Sequence, residues 1–139
     1  MTDPQKQLQT LSDAYTQLQN DLTTLITLRR TLTSQQTETT SVLSTLTPLQ
    51  EETTPNKNQI YKQIGPVLLK QGKGDATMSV EARVRFIEGR IGEVEAQIAE
   101  TQGKMERVRG EILGLQSGLE QQQMQAQVGG GGMGKGVKA

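Results

Sequence analysis

Side chains capable of acid–base or metal chemistry are sparse in this sequence. The chain has no cysteine and no histidine, which excludes thiol and imidazole nucleophiles, disulfides and Cys/His zinc sites. The remaining candidates are the carboxylates of the second half, which alternate with basic residues, as in Glu93, Glu95, Glu100 and Glu106 beside Arg90, Lys104, Arg107 and Arg109. Alternating charge is typical of a solvated helix face without a pocket. The sequence therefore predicts no enzyme, no catalytic residue, no cofactor and no metal site.

The overall charge and hydropathy exclude two further classes of partner. Fifteen basic and fifteen acidic residues cancel, so no excess charge attracts the chain to nucleic acid or an anionic membrane. The N-terminal MTDPQKQLQT has no apolar core of a signal peptide, and no stretch approaches the roughly 18 apolar residues of a membrane span. We expect a cytoplasmic protein with no nucleic-acid and no membrane partner.

The positioning elements are two helices with a regular apolar spacing. Apolar residues alternate at intervals of three and four, which is the pattern of a coiled coil. The first run consists of Leu8, Leu11, Tyr15, Leu18, Leu22, Leu25, Arg29, Leu32, Gln36, Thr39, Leu43 and Leu46. The second run consists of Val80, Val84, Ile87, Ile91, Val94, Ile98, Thr101, Met105, Val108, Ile112, Leu115 and Leu119. We call these two sets the seam residues.

Two runs of nearly equal length around a short connection predict an antiparallel helical hairpin. Asp3 and Pro4 are suited to cap the first helix, and Thr77 or Ser79 to cap the second. Pro48 should end or kink the first helix, so its end is expected between residues 47 and 54. The coiled coil is assigned to residues 1–128, and the Gly-rich residues 129–139 to a flexible tail.

A short β-hairpin is expected between the helices, at about residues 58–72. The stretch IYKQIGPVLLKQ contains two strand-like segments around Gly65-Pro66. Its apolar residues fall on both faces: Ile60, Tyr61, Ile64, Val67, Leu68 and Leu69. A lone two-stranded hairpin is marginally stable in water and leaves two edges unpaired. Either it folds back on the helix ends and stiffens the turn, or strands of other chains complete it; the second interpretation makes the six residues an assembly surface.

The hairpin sequence between two long coiled-coil helices resembles the β-type subunits of prefoldin. The specific part of the resemblance is IYKQIGPVLLKQ, residues 60–71, whose GPVLLKQ is most similar to eukaryotic prefoldin subunit six, and the resemblance extends over residues 5–127. It implies a mostly α fold, an antiparallel two-helix coiled coil with a central β-hairpin. The Thr-rich first helix, the segment LTPLQEETTPNKN and the Gly-rich tail depart from the family pattern.

The resemblance also implies a function. Prefoldins are heterohexamers of two α-type and four β-type subunits that hold unfolded proteins such as actin and tubulin without ATP and deliver them to the cytosolic chaperonin. Their partners are thus other prefoldin subunits, unfolded clients and the chaperonin, and the tips of the coiled coils hold the client. Here the tip residues are Leu8, Leu11, Leu113, Leu115, Leu119 and Met124.

Two alternatives stay open at this point. Leu8, Leu11, Leu115 and Leu119 are also explained by ordinary packing in the seam, and Leu113 and Met124 by the scattered apolar residues found on any protein surface. A coiled-coil scaffold or tether without a client would share the seams, although a simple tether has no need of the hairpin.

Overall fold

Along the chain, the two strands of an antiparallel sheet lie between two long helices. The computed structural model describes residues 3–49 and 59–138, with side chains as far as Gln127. Helix α1 spans Pro4–Leu46, strand β1 Ile60–Ile64, strand β2 Val67–Gln71 and helix α2 Lys73–Lys138. The predicted fold class is confirmed.

The chain divides into two compact units, and each helix contributes to both. The hairpin unit is Leu25–Gln97 and contains the sheet. The terminal unit combines Met1–Thr24 with Ile98–Ala139.

In the hairpin unit, α1 and α2 pack in antiparallel order. Gln36 Nε2 donates a hydrogen bond of 3.4 Å to Glu88 Oε1, whereas Leu46, farther along α1, borders the same groove as Val80, which is earlier in α2. Among the described residues of this unit, the buried ones are Leu32, Thr39, Leu46, Ala76, Ile87 and Val94. All of them except Ala76 are seam residues, so the apolar spacing correctly predicts the core.

The terminal unit has a thinner core. Among the residues whose exposure is described, Ile98 alone is buried there. The other seam residues of this unit are half-buried, while the residues between them are mostly exposed. Two helices can shield only one narrow face of each other, so this unit depends on a single line of contacts.

The N-terminus of α1 is capped as predicted. Asp3 Oδ1 accepts a hydrogen bond of 3.1 Å from the backbone N–H of Gln5, and the carbonyl of Asp3 accepts one of 3.0 Å from Gln7. Pro4 occupies the first helical position, where a backbone N–H would have no acceptor within the helix, so its absence in proline costs no hydrogen bond.

The C-terminus of α1 lies one residue before the predicted range. The helix ends at Leu46, and the backbone N–H of Thr47 still donates a helical hydrogen bond of 2.9 Å to the Leu43 carbonyl. Thr47 precedes Pro48, whose ring disfavours helical backbone at the residue before it. Residues 50–54 of the predicted range lie outside the described residues.

Helix α2 begins earlier than predicted. It starts at Lys73, and the N–H of Ala76 bonds to the carbonyl of Gly72 at 2.9 Å. The extra turn buries Ala76 and places Asp75 where the helix dipole favours a negative charge. Thr77 is therefore no cap: it lies inside the helix, and its Oγ1 is buried without a hydrogen-bond partner.

The C-terminal end of α2 includes the Gly-rich segment. The helix reaches Lys138, so the backbone of 129–138 is helical where the sequence predicts a flexible tail. The flexibility of this segment stays a prediction. It is supported by the sequence GGGGMG, because glycine lowers helix stability.

Threonine is frequent in α1 despite its low helix propensity. Most of these side chains bond within the helix, each Oγ1 donating to the carbonyl four residues earlier. Thr39 does so in the core at 2.7 Å. On the exposed side the same bond is made by Thr10, Thr16, Thr24, Thr31, Thr37 and Thr45. The hydroxyls are thereby satisfied without a partner outside α1.

We predict that alanine at Gly103 and Gly110 stabilises the protein. A Cβ at either position meets nothing within 4 Å, so the substitution removes backbone freedom of the unfolded chain at no steric cost. Each should add about 1 kcal/mol to the free energy of unfolding, measured by urea denaturation followed by circular dichroism. The control is Gly65→Ala, which should destabilise, because Gly65 has a φ of 59°. Unchanged or lower stability of G103A/G110A would contradict the open surroundings of these glycines.

Candidate functional site

The hairpin turn is set by two residues of opposite backbone preference. Gly65 has a φ of 59°, and Pro66 fixes a negative φ, which together are the signature of a two-residue type II′ turn. The strands pair from Ile60↔Gln71 to Ile64↔Val67. The sequence thus specifies both the turn and the register.

Both faces of the hairpin carry apolar side chains. Alternation along the strands and the observed register group Ile60, Ile64, Val67 and Leu69 on one face, which we call face A. The opposite face, face B, holds Tyr61 and Leu68. The prediction that the hairpin is apolar on both sides is confirmed.

These side chains are largely exposed. The exposed fraction is 51% for Tyr61, 52% for Ile64, 52% for Val67, 62% for Leu68 and 49% for Leu69. Ile60, the sixth predicted assembly residue, is half-buried. Contiguous exposed apolar residues of this kind mark an interaction surface.

The hairpin also has two open edges within the described part of the chain, where β1 and β2 form a two-stranded sheet. A two-residue turn is closed by a hydrogen-bonded pair, here Ile64 and Val67, and bonded and non-bonded pairs alternate from there. The N–H and C=O groups of Tyr61 and Gln63 therefore point outward from β1. Those of Leu68 and Lys70 point outward from β2.

The base of the hairpin meets the helices at a groove of about 390 Å³. Ile60 shares its lining with Leu46, Ala76 and Val80, which accounts for the partial burial of Ile60. Val42 also borders the groove and stays 48% exposed. The apolar spacing does not predict an exposed role for Val42, because this residue lies next to the seam residue Leu43.

In the terminal unit, the predicted client-binding residues lie around three shallow grooves. Leu11 and Leu115 border the largest, about 580 Å³. Leu115 and Leu119 border a second, about 140 Å³, and Leu113 a third, about 260 Å³. Glycines at positions 114 and 118 line these grooves, and the space that their missing side chains leave was not evident from the apolar pattern.

The remaining two predicted residues differ. Leu8 is half-buried in the seam, whereas Met124 is 65% exposed and borders none of these grooves. Leu113 is also exposed, at 55%. The six residues therefore divide into four half-buried seam residues and two exposed residues outside the seam, Leu113 and Met124.

The charged residues of α2 form exposed pairs. Glu100 lies 3.3 Å from Lys104, and two longer pairs join Arg90 to Glu93 and Arg109 to Glu106. Exposed pairs of this type stabilise a helix little. Among residues 3–49 and 59–138, no group of acidic side chains is arranged to hold a metal ion, and no helix has the length and hydropathy to cross a membrane.

Comparison with known proteins gives matches to a family model and to solved structures. The family model described as "Prefoldin subunit" matches residues 9–119. The crystal structure of the prefoldin beta subunit from Thermococcus strain KS-1 superposes with a TM-score of 0.67 at 20% identity, covering 81% of this chain and 94% of that chain. No curated protein sequence matches significantly.

The hairpin geometry predicts an alternating pattern of amide exchange. In the isolated chain, the amides of Lys62, Ile64 and Leu69 should exchange slowly relative to those of Gln63 and Leu68, because the first three donate within the hairpin. Hydrogen exchange followed by NMR measures this. In a complex that pairs the edges, the amides of Gln63 and Leu68 should become protected as well. Uniform exchange along both strands would contradict the register.

Proposed function

Because this chain belongs to the prefoldin subunit family, we propose that it is a β-type subunit of a heterohexamer built from two α-type and four β-type subunits. The observation that carries this proposal is the hairpin, which is apolar on both faces and open at both edges. Strands of neighbouring subunits would pair with these edges and close a β-barrel. The GPVLLKQ segment supports a likeness to eukaryotic subunit six.

Closure of the sheet would stabilise the assembly in two ways. Each of the five exposed apolar side chains would lose its contact with water, which is worth about 1 kcal/mol for a side chain that is already half-covered. The outward backbone groups of Tyr61, Gln63, Leu68 and Lys70 would gain strand partners. Neither gain is available to the chain alone.

The proposed activity is the holding of unfolded proteins without ATP. Prefoldin subunits are non-enzymatic chaperones, so a chaperone-type function follows from the family. The shallow grooves at Leu11, Leu113 and Leu115 suit weak contacts with many apolar segments rather than one sequence. We further propose actin-like and tubulin-like clients, delivery to the cytosolic chaperonin and a cytoplasmic location, as the resemblance of the hairpin implies.

Aspartate at Tyr61 and Leu68 should prevent entry into the complex. Both side chains lie on face B, where Lys70, opposite Tyr61, is the only basic residue of the hairpin. At least one of the two carboxylates would therefore be buried without a partner, at a cost of about 2 kcal/mol or more. Co-purification with partner subunits from a coexpression system measures assembly, and circular dichroism checks that the helices persist. The control Q102D/Q116D adds the same charge at exposed positions of α2 and should assemble normally. Normal co-purification of Y61D/L68D would refute assembly through the hairpin.

Two pairs of serine substitutions should separate client contact from seam packing. Leu113→Ser with Met124→Ser changes exposed residues, so the melting temperature should stay the same while suppression of client aggregation falls. Leu115→Ser with Leu119→Ser changes half-buried residues and should lower both the melting temperature and the suppression of client aggregation. Light scattering of a diluted, denatured client at limiting hexamer measures suppression.

The outcome also tests the scaffold alternative. If L113S/M124S suppresses aggregation fully and only the destabilised pair L115S/L119S loses suppression, Leu115 and Leu119 act in seam packing and not in client contact. Full suppression by both pairs, with assembly intact by native mass spectrometry, would exclude this subunit as a client site and favour a tether.

A further inference from the structure

The hairpin has a charge that the chain as a whole does not have. Residues 59–72 contain Lys62 and Lys70 and no aspartate or glutamate, although the complete chain has a net charge of zero. Neither ammonium forms an ion pair with a carboxylate of the described residues. Two positive charges are therefore concentrated on the surface that the proposed function assigns to assembly.

The two lysines are distributed over both strands and both faces. Lys62 is on β1 and shares face A with Ile60, Ile64 and Leu69, its direct partner across the hairpin. Lys70 is on β2, on face B, opposite Tyr61. A neighbour that pairs with either edge therefore brings its side chains beside one lysine, with Cβ atoms about 5 Å apart on the shared face.

Closure with copies of this chain would leave these charges uncompensated. In a ring of identical hairpins with aligned faces, every Lys62 falls on one face and every Lys70 on the other. The like charges would lie within or near the Debye length, about 8 Å at physiological ionic strength. On face A the ammonium would also lose water to the apolar side chains around it, which is unfavourable without an anionic partner.

We propose that these lysines select unlike neighbours, namely hairpins of other subunits that carry aspartate or glutamate on the strand next to Lys62 or Lys70. This inference rests on the proposed assembly through the hairpin and adds the chemistry of the partner. A carboxylate beside each lysine replaces a repulsive contact by an attractive one and satisfies the ammonium as the sheet closes. Apolar burial then supplies affinity, and charge determines which subunit is adjacent.

The test needs only this chain and one variant of it. Lys62→Glu with Lys70→Glu reverses the hairpin charge and leaves the six apolar residues unchanged. Wild-type and K62E/K70E chains, distinguished by mass labelling, are mixed in equal amounts, refolded together from urea and measured by native mass spectrometry. Mixed oligomers should exceed the statistical share several-fold at about 50 mM salt and approach it at about 500 mM, where the Debye length is shorter.

The matched control is K62Q/K70Q, which removes the charge but keeps a polar side chain of similar length. Mixed with wild type, it should give a smaller excess than K62E/K70E. Oligomers of statistical composition in the K62E/K70E mixture would overturn the charge selection while leaving hairpin assembly in place. Absence of oligomers from every mixture, together with normal co-purification of Y61D/L68D, would overturn hairpin assembly itself and this inference with it.

Discussion

A two-stranded sheet cannot satisfy its own outer backbone groups, and the proposed assembly of this protein depends on that constraint. Tyr61, Gln63, Leu68 and Lys70 direct their N–H and C=O groups away from the hairpin, and apolar side chains cover both of its faces. Water can hydrogen-bond to the edges, but the contact of water with the exposed apolar side chains stays unfavourable. The proposed pairing with strands of other chains would remove both deficits in one event, so edge pairing and apolar burial would act together.

The helices meet a different constraint, since two helices alone can bury only a narrow line of side chains. In the hairpin unit this line includes buried residues such as Ile87 and Val94, and Thr39 enters it because its hydroxyl bonds to the Gln35 carbonyl. In the terminal unit the same pattern gives half-buried residues and open grooves. One heptad pattern thus produces a firmer core in one unit and an accessible apolar surface in the other.

The sequence predicts most of this fold, because each main feature has a local cause. The spacing of the seam residues identifies the buried faces, and Gly65-Pro66 specifies the turn and hence the register of the strands. The sequence predicts too late a start for α2: Thr77 is a good capping residue, but burial of Ala76 and the position of Asp75 favour an earlier turn. The grooves near Leu11 and Leu115 were not predictable either, since their shape depends on which glycines of α2 lie beside the seam in three dimensions. The roles of the six hairpin residues and of the six client-binding candidates stay predictions.

The threonines of α1 have a consequence for how the protein avoids unwanted contacts. A hydroxyl that already donates to its own helix has little to offer a passing chain, and the β-branched carbon beside it presents only a small methyl group. The threonines on the exposed side of α1 therefore present few free hydroxyl donors. These threonine positions add exposed surface with neither an unpaired hydroxyl donor nor a large apolar group, so they give another chain little to bind.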